Sequence, residues 1–150
     1  MGQVSVTVRV RAEVRDVWAA LTDWESQSDW IAATTVRTVD GDGQGVGGRI
    51  EAFTGVGRVG FLDTMVVTEW LPPTWCAVRH TGKVVRGTGE FEVSESDAPT
   101  GSTVTWREDL DIPGGRLGEL AFALTRPITQ YAVRHSLKRF AARVERRSPV

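Results

Sequence analysis

Arg116–Arg147 reads RLGELAFALTRPITQYAVRHSLKRFAARVERR, a long helix whose apolar residues recur on two sides. At about 100° per residue, Leu117, Leu120, Ala121, Leu124, Ile128, Tyr131, Ala132 and His135 share one side. Phe122, Val133, Leu137, Phe140 and Val144 share roughly the opposite one. Pro127 lies between the two halves, removes a backbone donor, and is expected to kink or break the helix. The first half is then expected to bury the first stripe and the second half the second. Alternatively, one stripe faces a partner chain, as a homodimer would allow. The basic tail (Arg134, Lys138, Arg139, Arg143, Arg146, Arg147) suits a helix C-terminus, where cations meet the negative end of the dipole.

Upstream, nearly everything before Asp111 reads as strand and turn. Laying one long helix across a curved sheet is a simple way to build one core from such parts. It leaves a cavity between helix and sheet, and function is expected there. The 150 residues suggest one domain, 1–150, and 41% hydrophobic with 25% charged residues is a globular composition. A formal net charge of -1 argues against a nucleic-acid partner. Cys76 is the only cysteine, which excludes an intramolecular disulfide and a cysteine-based metal site. No apolar run approaches the ~18 residues a membrane span needs, so stable membrane insertion is not expected. The N-terminus alternates Val with polar residues, unlike a signal peptide, and cytoplasm is the expected location.

Gln3–Val10 alternates Val4, Val6, Val8 and Val10 against Ser5, Thr7 and Arg9, a half-buried strand. Val14, Val17, Trp18 and Leu21 then mark an amphipathic helix, and Thr22-Asp23-Trp24-Glu25 fits a capping box that starts a second short helix to about Trp30. Strands are expected at Thr34–Val39, Arg49–Thr54, Phe61–Leu71, Trp75–Thr81, Val84–Ser94 and Ser102–Ile112. Glycine-dense or Pro/Gly turns separate most of them. With the first strand this makes seven, and the short turns imply antiparallel hairpins.

Two stretches match G-x-G-x-x-G by letter: Gly43, Gly45, Gly48 and Gly55, Gly57, Gly60. Each leads into a strand rather than a helix, so hairpin turns that need positive φ are the better reading than a dinucleotide site. In the last strand Glu108 shares a face with Val104, Trp106 and Leu110. A carboxylate on an apolar face must be paired or neutral. In Trp75–Thr81, Cys76 and Val78 share a face with His80. If both faces point inward, His80 and Glu108 project into one cavity. They could act there as an acid–base pair, or form an internal salt bridge. Tyr131 and His135 are further candidates. No metal is expected, because His80 and His135 are the only histidines and no His/Asp/Glu spacing converges. No cofactor motif is found.

The order of elements resembles the START-like, helix-grip superfamily, also called the polyketide cyclase/dehydrase and lipid-transport (SRPBCC) family. The resemblance spans about residues 3–147. It rests on Val14-Arg15-Asp16-Val17-Trp18-Ala19-Ala20-Leu21-Thr22-Asp23-Trp24 after the first strand, on Trp30, and on Glu69-Trp70-Leu71-Pro72-Pro73. Gly101-Ser102-Thr103-Val104-Thr105-Trp106 and the long terminal helix complete it. The resemblance implies an α+β, Bet v 1-like fold: a seven-stranded antiparallel sheet gripping the helix around a deep, mostly apolar pocket, with two short helices after the first strand. Members bind lipids, sterols, quinones, plant hormones or polyketides, and some are cyclases or hydrolases. They share no catalytic motif, and fold alone does not decide function.

The expected function is therefore binding or transport of a small hydrophobic molecule. Phe53, Met65, Trp70, Val78, Phe91, Trp106, Leu124, Ile128 and Tyr131 would line the pocket, with His80 and Glu108 orienting a polar group. Apolar burial at ~25 cal/mol per Å² would supply most of the affinity. The alternative is an aromatic polyketide cyclase or dehydratase in which His80 or Glu108 removes a proton next to a ketone. A third reading uses the spare helix stripe as a partner face.

Overall fold

Alternation in the first strand places its valines as the period-two rule requires. In the computed structural model, which describes residues 2–98, 100–111 and 113–147, β1 (Gly2–Val10) buries Val4, Val6 and Val10 and exposes Ser5, Thr7 and Arg9. Helix α1 (Val14–Leu21) buries Val17, Trp18 and Leu21. A 3₁₀ helix, Trp24–Asp29, follows. The expected capping box does not form. Thr22 sits at the C-terminal end of α1, and its hydroxyl donates to the Trp18 carbonyl there at 2.8 Å. Glu25 instead accepts from the Thr38 hydroxyl at 2.9 Å.

Six more strands complete the sheet: β2 (Thr34–Asp40), β3 (Arg49–Val56), β4 (Val59–Leu71), β5 (Trp75–Thr81), β6 (Arg86–Glu95) and β7 (Ser102–Leu110). Ile112, expected to end the last strand, lies outside the described residues. The order is β1-β7-β6-β5-β4-β3-β2, antiparallel throughout. Consecutive strands therefore pair from β2 to β7. The one long crossing runs from β1 at one edge to β2 at the other, through α1 and the 3₁₀ helix. Register shifts at Thr38/Asp40 and Val67/Glu69 break the pairing locally, the kind of irregularity that bends a sheet. Both G-x-G-x-x-G matches are hairpin chemistry. Gly57, at φ 61°, turns with Arg58 between paired Val56 and Val59. Gly43 leaves room for the Trp24 ring, whose indole N–H donates to the Gly43 carbonyl at 3.1 Å.

Helix α2 (Gly115–Arg147) corrects two expectations. It runs through Pro127 without interruption. Around the proline, the Thr125 hydroxyl donates to the Ala121 and Phe122 carbonyls (3.2 and 3.1 Å) and Thr129 donates to Thr125 (3.3 Å). Its core face is confined to one stripe and is buried mainly in the second half. Val133, Leu137, Phe140 and Val144 are buried, and Phe122 of the same stripe, half-buried, packs at the start of β1, where its ring fills the space beside Gly2. The other stripe points outward: Leu117, Leu120, Leu124, Ile128 and Tyr131 are between 57% and 77% exposed. Polar ties fix the second half of α2. The Ala32 amide donates to the Ser136 hydroxyl at 3.0 Å, and the Arg143 guanidinium reaches the Asp29 carboxylate at 3.0 Å.

Candidate functional site

The concave face of the sheet meets the 3₁₀ helix around a cavity of about 130 Å³. Ile50 and Ala52 of β3, Met65 of β4, Cys76 and Val78 of β5, Phe91 of β6 and Trp106 of β7 line it, with Trp24 and Ile31 closing it. β3, β4, β5 and β7 contribute alternate residues, because alternate side chains point to one face. None of the lining residues belongs to α2.

One end of this apolar space is ionic. The face shared by Cys76 and Val78 continues to His80, only 6% exposed. His80 Nδ1 lies 2.8 Å from Asp63 Oδ1 of β4, and its Nε2 lies 2.8 Å from Glu108 Oε2 of β7. The Trp106 indole N–H donates to the other Glu108 oxygen at 2.8 Å. Both ring nitrogens face carboxylate acceptors, so the arrangement is satisfied when both carry protons. Burial opposes the charge on the ring. The hydrogen bonds to Asp63 and Glu108, and their negative charges, outweigh it and push His80 up from 6.5 to about 10. The imidazolium stands between the carboxylates, so the three groups do not converge on a shared metal position. Cys76, also on the lining, is held as a neutral thiol: burial pushes it up to about 12.

The sign of the pH effect follows. Between pH 6.5 and about 10 the folded chain holds a proton on His80 that the unfolded chain has lost. The clamp's contribution is full below the lower value and is lost as pH rises through the upper one. Urea unfolding between pH 6.5 and 10 should show stability falling by about 4 kcal/mol from this group. A flat or rising profile would contradict a charged His80.

Gly89 makes room for the clamp. It pairs with Glu108 across β6 and β7. A Cβ at Gly89 would lie 2.9 Å from Glu108 Oε2 and 3.1 Å from Oε1. That carboxylate is pinned by Trp106 and His80, so it cannot swing away without breaking a bond. Gly89→Ala should cost about 1–3 kcal/mol. It should also move the His80 titration, followed by ring proton resonances, down from about 10. An unmoved titration would mean that the carboxylate is free to shift.

Sequence reasoning placed part of this set. Met65, Val78, His80, Phe91, Trp106 and Glu108 line the cavity together. Phe53 does not. It alternates with Ala52 and pairs with Leu62 on the other face of the sheet. Trp70 packs edge-on against Trp18, ring centroids 5.2 Å apart, beside the cavity rather than on its wall. Leu124, Ile128 and Tyr131 project outward from α2 and reach no part of the lining. His135 stacks on Tyr131 on that outer surface, centroids 6.0 Å apart. Asp63 was missed, although it lies two residues from Met65 and the period-two rule puts both on one face.

Residues 1–145 match the family described as polyketide cyclase / dehydrase and lipid transport. The chain belongs to that family. As a member of the polyketide cyclase/dehydrase and lipid transport family it shares its fold with solved structures at low identity. TTHA0849 from Thermus thermophilus superposes with a TM-score of 0.81 at 16% identity, covering 98% of this chain and 99% of that one. The Zhui aromatase/cyclase from Streptomyces sp. R1128 gives 0.72 at 21% identity, covering 97% and 94%. A START superfamily protein from Mycobacterium smegmatis gives 0.69 at 15% identity, covering 97% and 99%. No curated protein matches the sequence. Family and fold point to hydrophobic-ligand binding or polyketide cyclase chemistry. Among the described residues no helix is long and apolar enough to cross a membrane.

Proposed function

We propose that this chain binds a small hydrophobic molecule in the cavity between the sheet and the 3₁₀ helix. Asp63, His80 and Glu108 would meet the ligand's one polar group. The observation that carries the reading is a mostly apolar wall that ends in a buried ionic cluster of Asp63, His80 and Glu108. Such a site takes an apolar body and orients it by one polar contact. The cyclase or dehydratase reading needs His80 or Glu108 to take a proton from carbon next to a ketone. With His80 protonated and donating from both nitrogens, no lone pair remains on the ring to accept one, and Glu108, the other candidate base, is already held on both oxygens by the His80 and Trp106 N–H groups. Binding is therefore the better-supported function. Mass spectrometry of an organic extract from denatured protein tests it. A stoichiometric apolar molecule is expected. An empty extract, together with an unmoved Trp106 indole resonance across a panel of apolar probes, would sink the reading.

A further inference from the structure

The clamp carries an unbalanced charge: one imidazolium faces two carboxylates, a formal excess of one negative charge at the end of an apolar cavity. Its hydrogen-bonding capacity is equally one-sided. Both His80 N–H groups are spent on Asp63 and Glu108, the Trp106 N–H on Glu108, and the Trp24 N–H on the Gly43 carbonyl. The Thr34 hydroxyl is in reach of the Ala32 carbonyl at 2.9 Å and of the Thr54 hydroxyl at 3.0 Å. If Thr34 donates to Ala32, Thr54 must donate to Thr34. Gln27 gives one amide hydrogen to Leu21 and keeps the other. Against that single donor, Asp63 Oδ2 has no hydrogen-bond partner among the described residues, on a side chain only 14% exposed. What the lining still offers is acceptors and negative potential.

We infer that the cavity selects ligands that present an O–H or N–H donor at their polar end, neutral or cationic, and rejects anions such as carboxylates. This rests on the binding reading above and specifies its ligand class. An unpaired carboxylate oxygen on this wall rewards a donor that reaches it, and the clamp's net negative charge repels a second anion in a region of low dielectric. Size narrows the class further. A cavity of about 130 Å³ compares with the ~150 Å³ apolar cavity that holds one benzene. The part of the ligand that enters is a single ring or its aliphatic equivalent.

The test uses five one-ring probes of similar volume: phenol, benzylamine, benzoate, anisole and toluene. Each is titrated at pH 7 into the full chain and followed by calorimetry and by the Trp106 indole N–H resonance. Phenol and benzylamine should bind at least tenfold more tightly than anisole, and benzoate at least tenfold more weakly than phenol. In Asp63→Asn, which keeps the shape and one acceptor but removes the charge, the ratio of benzylamine to toluene affinity should fall at least tenfold. Because a ratio within one variant is read, a general loss of stability does not mimic the effect. Benzoate binding as tightly as phenol, or an unchanged ratio in Asp63→Asn, overturns the donor selection and leaves the binding reading standing. No probe moving the Trp106 resonance overturns both.

Discussion

His80→Ala should lose about 3–5 kcal/mol of unfolding free energy at pH 7, measured by urea denaturation. The loss is large because the substitution does more than delete hydrogen bonds. It leaves Asp63 and Glu108 facing one another across the space the imidazolium filled, with side chains only 14% and 18% exposed. Two buried carboxylates without a cation between them repel, and protonating either one relieves the repulsion. The deficit relative to wild type should therefore shrink as pH is lowered toward 4. Wild type should behave in the opposite sense over its own window, weakening as the pH rises from 6.5 toward 10. A deficit under about 1 kcal/mol that does not change with pH would mean that the charged clamp does not persist in solution.

Phe140→Ala should cost about 3–5 kcal/mol, while Leu124→Ala on the same helix should cost less than about 0.5. Phe140 is fully buried against the Trp30 ring, centroids 5.0 Å apart, so truncation leaves a void among side chains that cannot collapse into it. Leu124 is 72% exposed and has little burial to lose. Urea unfolding of the two variants in parallel decides which stripe of α2 is the core stripe. A loss above about 1 kcal/mol for Leu124→Ala would show that its stripe is covered in solution by another surface.

That pair also marks where the sequence stopped being legible. Helical periodicity defines two faces in α2 but does not say which one meets the sheet, because Leu117–Tyr131 and Phe122–Val144 are comparably apolar. Expecting Pro127 to break the helix divided the stripes between its halves. The unbroken helix gives the whole core face to the second stripe. Strands were clearer where one face is strictly apolar. Alternation in β1, and the runs Cys76-Val78-His80 and Val104-Trp106-Glu108, put every inward residue on the correct side. In β4 the sequence is apolar on both faces (Phe61, Leu62, Met65, Val66, Val67), so the period that puts Asp63 beside Met65 does not by itself mark which face is inward. The register shift at Val67/Glu69 interrupts the period further along that strand. Phe53 was placed on the pocket wall, whereas the wall there is built from its even-numbered neighbours Ile50, Ala52 and Thr54. The cluster of His80 with Glu108, and an ion pair as one form it could take, was legible from strand faces alone, but its third member was not.

The sheet order sets a schedule for the nascent chain. Strands β2 to β6 each pair with a strand made just before or just after them, so a meander can zip up as it is synthesised. β1 cannot join it. Its only strand partner is β7, and the Thr7 and Thr105 hydroxyls that meet across the pair are 98 residues apart in the chain. At roughly 5–20 residues per second, the first strand waits on the order of 5–20 s on the ribosome. Through that interval Val4, Val6 and Val10 have neither the β7 ladder nor the α2 face to cover them. The last-made third of the chain is thus what closes the first-made strand, and a ribosome stalled before β7 would display an apolar edge that invites pairing with other chains.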